Sequence, residues 1–541
     1  MAFAMTGAGL LMLAVFMGPR QGLPVTPREP EDANVLRVAY VQPLVPDPHR
    51  RSVPLSTQNQ FVLCLWEPLI ECDPETGQPQ PAAAESWRWS DDRRTLTVAL
   101  RRDGRWSNGE PVKADDFVRS WRRLLQQDAD QAAVLFPIEN AEKNRADRAA
   151  DAGELGLKVI DDFTLEIRLG QVRSTFVAEL ADPLLVPLHA STDEVLKQRR
   201  HLASPEALVS NGAFRLERAG ASGYRLKASE HYHGRASVRL SGVNYIRTDT
   251  IRMARLLVAS GRADVMTPVP AGGPTALPTD RCVTEESEMA MVVTTIDLNV
   301  TRGPLRDLRV RRALALAMDR AGSIRENDVD RLVPAYAWVP DMPGRAGLSI
   351  LEENAAEARR LLAEAGYPGG KGFPVLVMPM SARDGSLNYW QAWVDRWHRE
   401  LGIRTYLSFQ TEAERKETLR AGNYDIYPSG LLATVPDAGD MLGAFALPEI
   451  FSGTRWNDPE IKRLMMEANL TTGLERLERL EQIERRAMAA VPTIPMMFER
   501  RRTLLSIEVD GWYADPLGRQ SLKRLSLRPL EQGEPFGGSA L

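Results

Sequence analysis

Two hydrophobic patterns meet near the midpoint of the chain. Residues 294–299 alternate β-branched or apolar side chains with other residues, which predicts a strand, and Gly303-Pro304 interrupts it. Asp307 then has the position and chemistry of a helix cap. The apolar positions expected to form the buried side of that helix are Leu308, Val310, Leu314, Ala317 and Met318. A strand, a turn and a buried helix predict the start of an α/β lobe.

The first part of the chain favours antiparallel structure. Residues 84–100 and 157–169 each contain two alternating segments around an acidic turn, which predicts two β-hairpins. Asn211-Gly212 predicts a tight turn with positive φ before a returning strand. An amphipathic helix is expected between the hairpins, and its aromatic stripe is interpreted as core: Phe117, Val118, Trp121, Leu124 and Leu125.

After the midpoint, predicted strands and helices alternate. The strands are residues 374–379, 405–409 and 424–427, and the helices are residues 353–366, 389–401 and 412–421. This βαβ-like order predicts a second lobe with a largely parallel sheet.

Composition narrows the function classes. The chain has 541 residues and a net charge of −4, so neither nucleic acid nor an acidic membrane surface is expected as a partner. Three cysteines, Cys64, Cys72 and Cys282, cannot form a disulfide framework, and no Cys/His spacing indicates a metal site. Cys64 and Cys72 are interpreted as small buried residues, with their pairing as the alternative.

The N-terminus predicts export. Residues 1–18 are uncharged and contain LLMLAVFMG, too short for a membrane span and suited to a secretory h-region. Whether this segment is cleaved or retained as a membrane anchor stays open. Residues 24–33 are polar and proline-rich, which is typical of a tether.

Several long motifs identify a family. Residues 299–320 fit N-x-x-x-x-P-L-x-D-x-R-V-R-R-A-L-A-L-A-x-D-R, residues 84–92 contain AESW and SDD, and residues 361–370 are LLAEAGYPGG. Together these motifs resemble the extracytoplasmic solute-binding proteins of peptide ABC transporters, the oligopeptide- and dipeptide-binding family. The resemblance runs in the same order over about residues 35–529.

The resemblance implies an α/β, two-lobed periplasmic-binding-protein fold with a hinged cleft and an additional small α+β domain inserted in the first lobe. The expected division is residues 1–34 for the signal or anchor segment and tether, residues 35–68, 209–292 and 513–541 for lobe I, residues 69–208 for the inserted domain, and residues 293–512 for lobe II.

The same resemblance implies a function without bond-breaking chemistry and without a cofactor. A periplasmic monomer would capture peptides in the cleft and deliver them to permease subunits backed by ATPase subunits. Backbone hydrogen bonds would bind peptides of varied sequence, and closure around the ligand would be a population shift that the permease senses.

One departure from the family concerns the ligand's charge. The oligopeptide branch has a W-x-A-D-x-x-x-P-x-x-F-L stretch whose Asp neutralises the ligand's α-ammonium. In residues 430–442, GLLATVPDAGDML, Leu431 and Thr434 replace that Trp and Asp. A buried ammonium without a carboxylate costs at least several kcal/mol. Three explanations stay open: Asp437 takes over the charge, the ligand has a blocked amino group, or the ligand is not a peptide. Asp297, which aligns with an acidic cleft residue, is expected to share the charge.

The hypothesis is therefore that Asp437 and Asp297 form the negative end of the cleft. The resemblance implies further contacts, with plain packing as the alternative for each: backbone groups near Val53, Gly430 and Leu432, and the ring of Trp512.

Two other functions are alternatives to ligand delivery. A secreted hydrolase could use Asp297 and Asp437 as acid and base, but G-x-S-x-G, H-E-x-x-H, a catalytic Cys/His pair and a phosphate-binding glycine loop are all missing from the sequence. A sensory relative would bind ligand and signal to another partner.

Overall fold

The computed structural model describes most of the chain after its N-terminal segment. The described residues are 32–50, 57–73, 76–127, 131–144, 153–197, 205–267, 283–326, 331–342, 344–381, 387–446, 453–513 and 515–528. The predicted signal segment, most of the predicted tether, and Val53 lie outside these residues.

Strands and helices are interleaved along the described chain. The strands are β1 (Val35–Tyr40), β2 (Ile70–Cys72), β3 (Pro79–Pro81), β4 (Ala84–Trp89), β5 (Thr95–Leu100), β6 (Leu157–Asp161), β7 (Thr164–Arg168), β8 (Phe214–Gly220), β9 (Gly223–Ala228), β10 (Gly242–Arg247), β11 (Val265–Met266), β12 (Val283–Leu298), β13 (Leu332–Pro334), β14 (Leu376–Ser381), β15 (Thr405–Gln410), β16 (Ile426–Leu432), β17 (Thr493–Ser506), β18 (Val509–Asp510) and β19 (Ser526–Leu527). The α-helices are α1 (Thr57–Leu65), α2 (Ala114–Gln126), α3 (Phe176–Glu179), α4 (Ala190–Lys197), α5 (Ile251–Ala259), α6 (Leu308–Leu316), α7 (Arg320–Glu326), α8 (Ala355–Glu364), α9 (Leu387–Leu401), α10 (Glu412–Ala421), α11 (Ala438–Ala446), α12 (Pro459–Leu470) and α13 (Gly473–Ala490).

Both predicted hairpins are confirmed. β4 pairs antiparallel with β5, and β6 with β7, so that the four strands form one sheet in the order β4-β5-β7-β6. The alternate residues of β5 are buried, as the pattern predicts. The predicted apolar stripe of α2 is also buried, and it forms part of the same core.

The midpoint helix begins where the sequence predicts. The Asp307 carboxylate accepts a hydrogen bond from the backbone N–H of Arg309 at 2.8 Å and caps α6. Val310 and Leu314 are buried, but Leu308 is 38% exposed, so its placement on the buried side was wrong. At 100° per residue, Leu308 lies about 200° around the helix from Val310 and faces outward.

Arg311, early in α6, stabilises the end of a different helix. Its guanidinium donates to the carbonyl oxygens of Ala490 at 2.8 Å and Val491 at 3.2 Å, where α13 ends. The negative end of the α13 dipole thus receives a cation, although a cation early in α6 is unfavourable for α6 itself. The contact fixes the midpoint helix against α13.

Two large apolar cores are joined by two long strands. The first core contains residues of β1, α1, the four-stranded sheet and β8–β10, and the second contains residues of α6, α8, α9 and α11–α13. β12 and β17 pair antiparallel over most of their lengths. β17 also pairs with β11 of the first half, and β12 pairs with β16 of the second. A later segment crosses too, since Leu517 packs in the second core and Leu522 in the first.

The prediction of a largely parallel sheet in the second half was wrong. The large sheet has the order β16-β12-β17-β11-β1-β10-β9-β8, with β13 beside β17. β12 pairs antiparallel with both β16 and β17. Among the described strands of this half, only β14 and β15 pair in parallel. Two strands that cross in opposite directions pair antiparallel, and the sequence rhythm does not reveal this crossing.

Among the residues that the structure describes, no helix is both long and apolar enough to cross a membrane.

Candidate ligand-binding site

β16 brings the predicted segment to one end of the large sheet. Its residues Gly430 and Leu431 pair with Thr294 and Val293 of β12. Gly430 is exposed, and a Cβ atom there would lie 2.8 Å from the carbonyl oxygen of Val293, so glycine permits this close strand approach. Leu431 and Leu432 are half-buried. β14 lies beside the start of β16, where the Asp425 N–H donates to the Val377 carbonyl oxygen at 3.1 Å. Further along, at Gly430 and Leu431, no described strand pairs with the outer edge, so this part can accept a further strand.

Thr434 holds a carboxylate that the sequence analysis did not single out. The Thr434 backbone N–H donates to Asp440 Oδ2 at 2.6 Å, and its hydroxyl lies 3.1 Å from both Asp440 oxygens. Asp440 belongs to the first turn of α11, and its side chain is 6% exposed. Burial raises the pKa of Asp440 above its ordinary value. The acidic group nearest position 434 in this segment is therefore Asp440.

Asp437 has a structural partner of its own. Its carboxylate accepts a hydrogen bond from the backbone N–H of Gly439 at 2.7 Å, at the start of α11. Arg476 of α13 donates to both Asp437 oxygens, at 2.9 and 2.7 Å. This bidentate pair neutralises Asp437 within the second half of the molecule. Its role as a ligand anchor stays a prediction.

Asp297 is enclosed within the second half. Its side chain is buried and accepts hydrogen bonds from the hydroxyls of Thr493 at 2.8 Å and Thr295 at 3.2 Å. A Cβ atom on Gly453 would lie 2.4 Å from its Oδ2. Burial raises the pKa of Asp297 to about 7, although these hydrogen bonds oppose the shift. The structure does not bring Asp297 together with Asp437.

Arg173 links Asp440 to the first half of the molecule. Its Nη2 lies 3.1 Å from Asp440 Oδ1, and its Nε lies 2.5 Å from Glu179 Oε1. Glu179 belongs to α3, whose Phe176 packs in the first core, whereas Met441, next to Asp440, packs in the second core. The guanidinium therefore bridges carboxylates of the two halves. Burial raises the pKa of Glu179, as it does for Asp440.

A small cavity lies beside this bridge. It has a volume of about 50 Å³ and its lining includes Ala181, Tyr513, Asp515 and Arg519. Arg519 also donates to the carbonyl oxygen of Thr434 at 3.3 Å, which places the cavity next to the β16 segment. This volume holds water but no peptide.

Trp512 does not line this cavity. It is half-buried and packs against the first core, whereas its neighbour Tyr513 lines the cavity wall. The predicted contact through the Trp512 ring stays a prediction.

A buried ionic network forms another wall of the cavity. Glu67 accepts hydrogen bonds from Tyr232 at 2.5 Å, His233 at 2.8 Å and Lys523 at 3.0 Å. Burial alone would raise the pKa of Glu67, but Lys523 and His233 outweigh it and lower that pKa to about 2. Lys523 belongs to the last crossing segment. The network therefore ties that segment to Glu67, which follows α1, and to Tyr232 and His233, which lie between β9 and β10.

Of the predicted site residues, Gly430, Leu431 and Leu432 lie in β16, and Thr434 follows that strand and accepts a hydrogen bond from Arg519 of the cavity wall. Their contact with a ligand stays a prediction. The sequence analysis missed Arg173, Asp440, Tyr513 and Arg519. Asp440 could have been found from the sequence, because it is an acidic residue within residues 430–442 and close to the start of a helix. Arg173 had none, because its partner is 267 positions away.

In the described part of the chain, no group of three or more His, Cys, Asp or Glu side chains is arranged to hold a metal ion. Cys64 and Cys72 are free, so the alternative that they pair was wrong.

Comparison with known proteins finds bacterial solute-binding proteins in every case reported below. The model of the bacterial extracellular solute-binding proteins, family 5, matches residues 78–452. The periplasmic oligopeptide-binding protein OppA of Escherichia coli is 26% identical over 447 residues, covering 78% of each chain. The probable deoxycholate-binding periplasmic protein YgiS of the same organism is 27% identical over 474 residues, covering 84% of this chain and 86% of that one.

A solved structure has the same fold. The crystal structure of a periplasmic oligopeptide-binding protein, OppAIV of Borrelia burgdorferi, superposes with a TM-score of 0.69 at 24% identity, covering 91% of this chain and all of the other. The fold is thus the two-lobed periplasmic binding protein fold, and the two apolar cores are its lobes.

Proposed function

The chain belongs to family 5 of the bacterial extracellular solute-binding proteins, and we propose that it captures peptides between its lobes and delivers them to the permease of an ABC importer. The observation that carries this proposal is the end of β16 around Gly430, where no described strand pairs with its outer edge. An extended peptide can add to such an edge through backbone hydrogen bonds, which do not depend on side-chain identity. Gly430 leaves this stretch of backbone uncovered.

The lobes must separate before a peptide enters. The cavity beside Thr434 is far smaller than ordinary ligand sites, which have volumes of roughly 300–1,000 Å³. β12, β17 and the segment around residues 513–525 are the connections about which the lobes would move. Closure around a ligand would then present a different surface to the permease.

The function needs no bond-breaking step. The family is a solute-binding family, and the polar groups at the boundary are ion pairs and backbone groups rather than a nucleophile with a base. Incubating the full chain with a mixture of tripeptides, followed by gel filtration and mass spectrometry, tests this. We expect peptides of unchanged mass to elute with the protein. Shortened peptides would favour a hydrolase, and peptides eluting only separately would contradict binding.

A second candidate ligand is an amphipathic anion. One relative, YgiS, is named as a probable deoxycholate-binding protein, and Arg519 lines the cavity beside Thr434. A titration with deoxycholate under the same conditions separates the two candidates. Saturable binding of deoxycholate but not of peptides would favour the anion.

We extend the proposal to the location, oligomeric state and domain division of the protein. The protein would act outside the cytoplasmic membrane as a monomer, with residues 1–18 as a signal or a tether. The proposed division keeps residues 35–68, 209–292 and 513–541 in lobe I, residues 69–208 as the inserted domain and residues 293–512 in lobe II. The position of Leu522 in the first core supports the return of the chain to lobe I.

A further inference from the structure

A guanidinium is held between two buried carboxylates where the lobes meet. Arg173 donates to Glu179 of its own lobe and to Asp440 of the other lobe. The Glu179 and Asp440 side chains are 3% and 6% exposed. Carboxylates buried to this degree need a cation and hydrogen bonds to stay ionised. Arg173 provides the cation for both.

The remaining hydrogen-bonding capacity of Asp440 is largely used by its own lobe. Its Oδ2 accepts from the Thr434 N–H, and both oxygens lie within reach of the Thr434 hydroxyl. Arg173 is a further partner of Asp440. A peptide ammonium would have to displace Arg173 or Thr434 before it could bind this carboxylate. An ammonium arriving there would also lie close to a guanidinium of the same charge.

Two further guanidinium groups near Thr434 also disfavour a ligand ammonium there. Arg476 neutralises Asp437 and also lies 3.4 Å from the hydroxyl of Ser174, the residue after Arg173. Arg519 donates to the Thr434 carbonyl oxygen from the cavity side. A ligand approaching Thr434 from the cavity therefore meets a guanidinium before it meets Asp440.

We propose that Arg173 is a specificity-determining residue: it supplies Asp440 with a built-in cation, and the protein therefore selects peptides without a free ammonium at this end, such as N-acylated peptides. This inference rests on the proposed peptide-binding function. A neutral amide end leaves the Arg173–Asp440 pair intact, whereas an ammonium end competes with it.

The test is a titration of the full chain at neutral pH with trialanine and with N-acetyl-trialanine. We expect the wild type to bind the acetylated peptide at least tenfold more tightly. In Arg173→Gln, which leaves Asp440 without its cation, this preference should fall at least tenfold. Arg173→Lys keeps the charge but not the two-nitrogen contact, and its preference should stay above that of Arg173→Gln. The double variant Arg173→Gln/Asp440→Asn returns the cluster of Arg173, Glu179 and Asp440 to its original net charge and should restore the preference.

The preference is a ratio within one protein, so a general loss of stability in a variant does not mimic the expected change. Equal or tighter wild-type binding of trialanine would overturn the inference while leaving peptide binding intact, as would an unchanged ratio in Arg173→Gln. If the wild type bound neither peptide, the proposed function would fail, and the inference with it.

Discussion

The guanidinium of Arg173 and the carboxylate of Asp440 meet across the lobe boundary at 3.1 Å, although 267 positions separate them in the chain. Each residue is anchored in its own lobe, Arg173 through Glu179 and Asp440 through Thr434. The pair can form only when the lobes are together. It therefore favours the closed arrangement independently of any ligand.

Removing the cation of Arg173 should open the ligand-free protein. In Arg173→Gln the two buried carboxylates lose their shared partner and gain solvation when the lobes separate. A change of about 1.4 kcal/mol in this balance shifts the ratio of open to closed molecules tenfold. Small-angle X-ray scattering should give a larger radius of gyration than for the wild type. Arg173→Lys is the control, and an identical radius for Arg173→Gln would contradict the bridging role.

Gly212 is required where α1 meets the chain before β8. A Cβ atom there would lie 2.6 Å from the carbonyl oxygen of Cys64, and the Gly212 N–H donates to the Leu65 carbonyl at 2.8 Å. Gly212→Ala should therefore lower the free energy of unfolding by about 2 kcal/mol or more. Urea unfolding measures this, with Gly220→Ala as control, since nothing lies within 4 Å of a Cβ atom at Gly220. Equal stability of the two variants would contradict the close approach.

The same position shows a limit of the sequence analysis. Asn211-Gly212 predicted a tight turn with positive φ, but neither residue adopts a positive φ. Instead the Asn211 side chain accepts from the Glu67 N–H at 3.0 Å and donates to the Glu67 carbonyl at 3.1 Å. Glycine serves close packing here, and its partner residues are more than 140 positions away.

Asp297 should make stability depend on pH. Its pKa is about 7 in the folded protein and about 3.8 when unfolded. Between these values the folded state holds a proton that the unfolded state has lost, so stability falls as pH rises and levels off above pH 7. From pH 5 to pH 8 this loss should be about 2–3 kcal/mol. Asp297→Asn removes it.

The check is urea unfolding of the wild type and Asp297→Asn at pH 5 and pH 8. The variant should gain stability relative to the wild type as the pH rises. A constant difference between the two proteins would show that Asp297 is ionised in the folded state across this range. An ionised Asp297 could then contribute negative charge to the cleft, as the sequence analysis expects.

Asp437 gives a direct test of the anchor predicted from sequence. Because Arg476 already binds both of its oxygens, Asp437→Asn should change peptide affinity by no more than about twofold. Asn still caps the helix, so stability should fall by about 1 kcal/mol or less. Calorimetric titration measures the affinity. A loss of tenfold or more would establish Asp437 as a ligand anchor.

Local features were predictable from the sequence and long-range ones were not. The Asp307 cap and the two hairpins follow from residues within a few positions of one another. The family motifs then implied the two lobes. The antiparallel crossing of β12 with β17 joins segments about 200 positions apart, and no periodicity encodes such a pairing.

The candidate site shows the same division. The motif at residues 430–442 could be matched because its residues are contiguous, and Asp440 lies within it. The partner that gives Asp440 its chemistry, Arg173, comes from the other lobe. Nothing in its local sequence distinguishes Arg173 from the many exposed arginines of this chain.

The central claim is that the two lobes hold an intact peptide between them. Native mass spectrometry of the full chain, purified without denaturation and exposed to N-acetyl-trialanine, tests it most directly. We predict a one-to-one non-covalent complex that releases the peptide with unchanged mass. A spectrum showing only the unliganded protein, or a released peptide that has been cleaved, would contradict the claim.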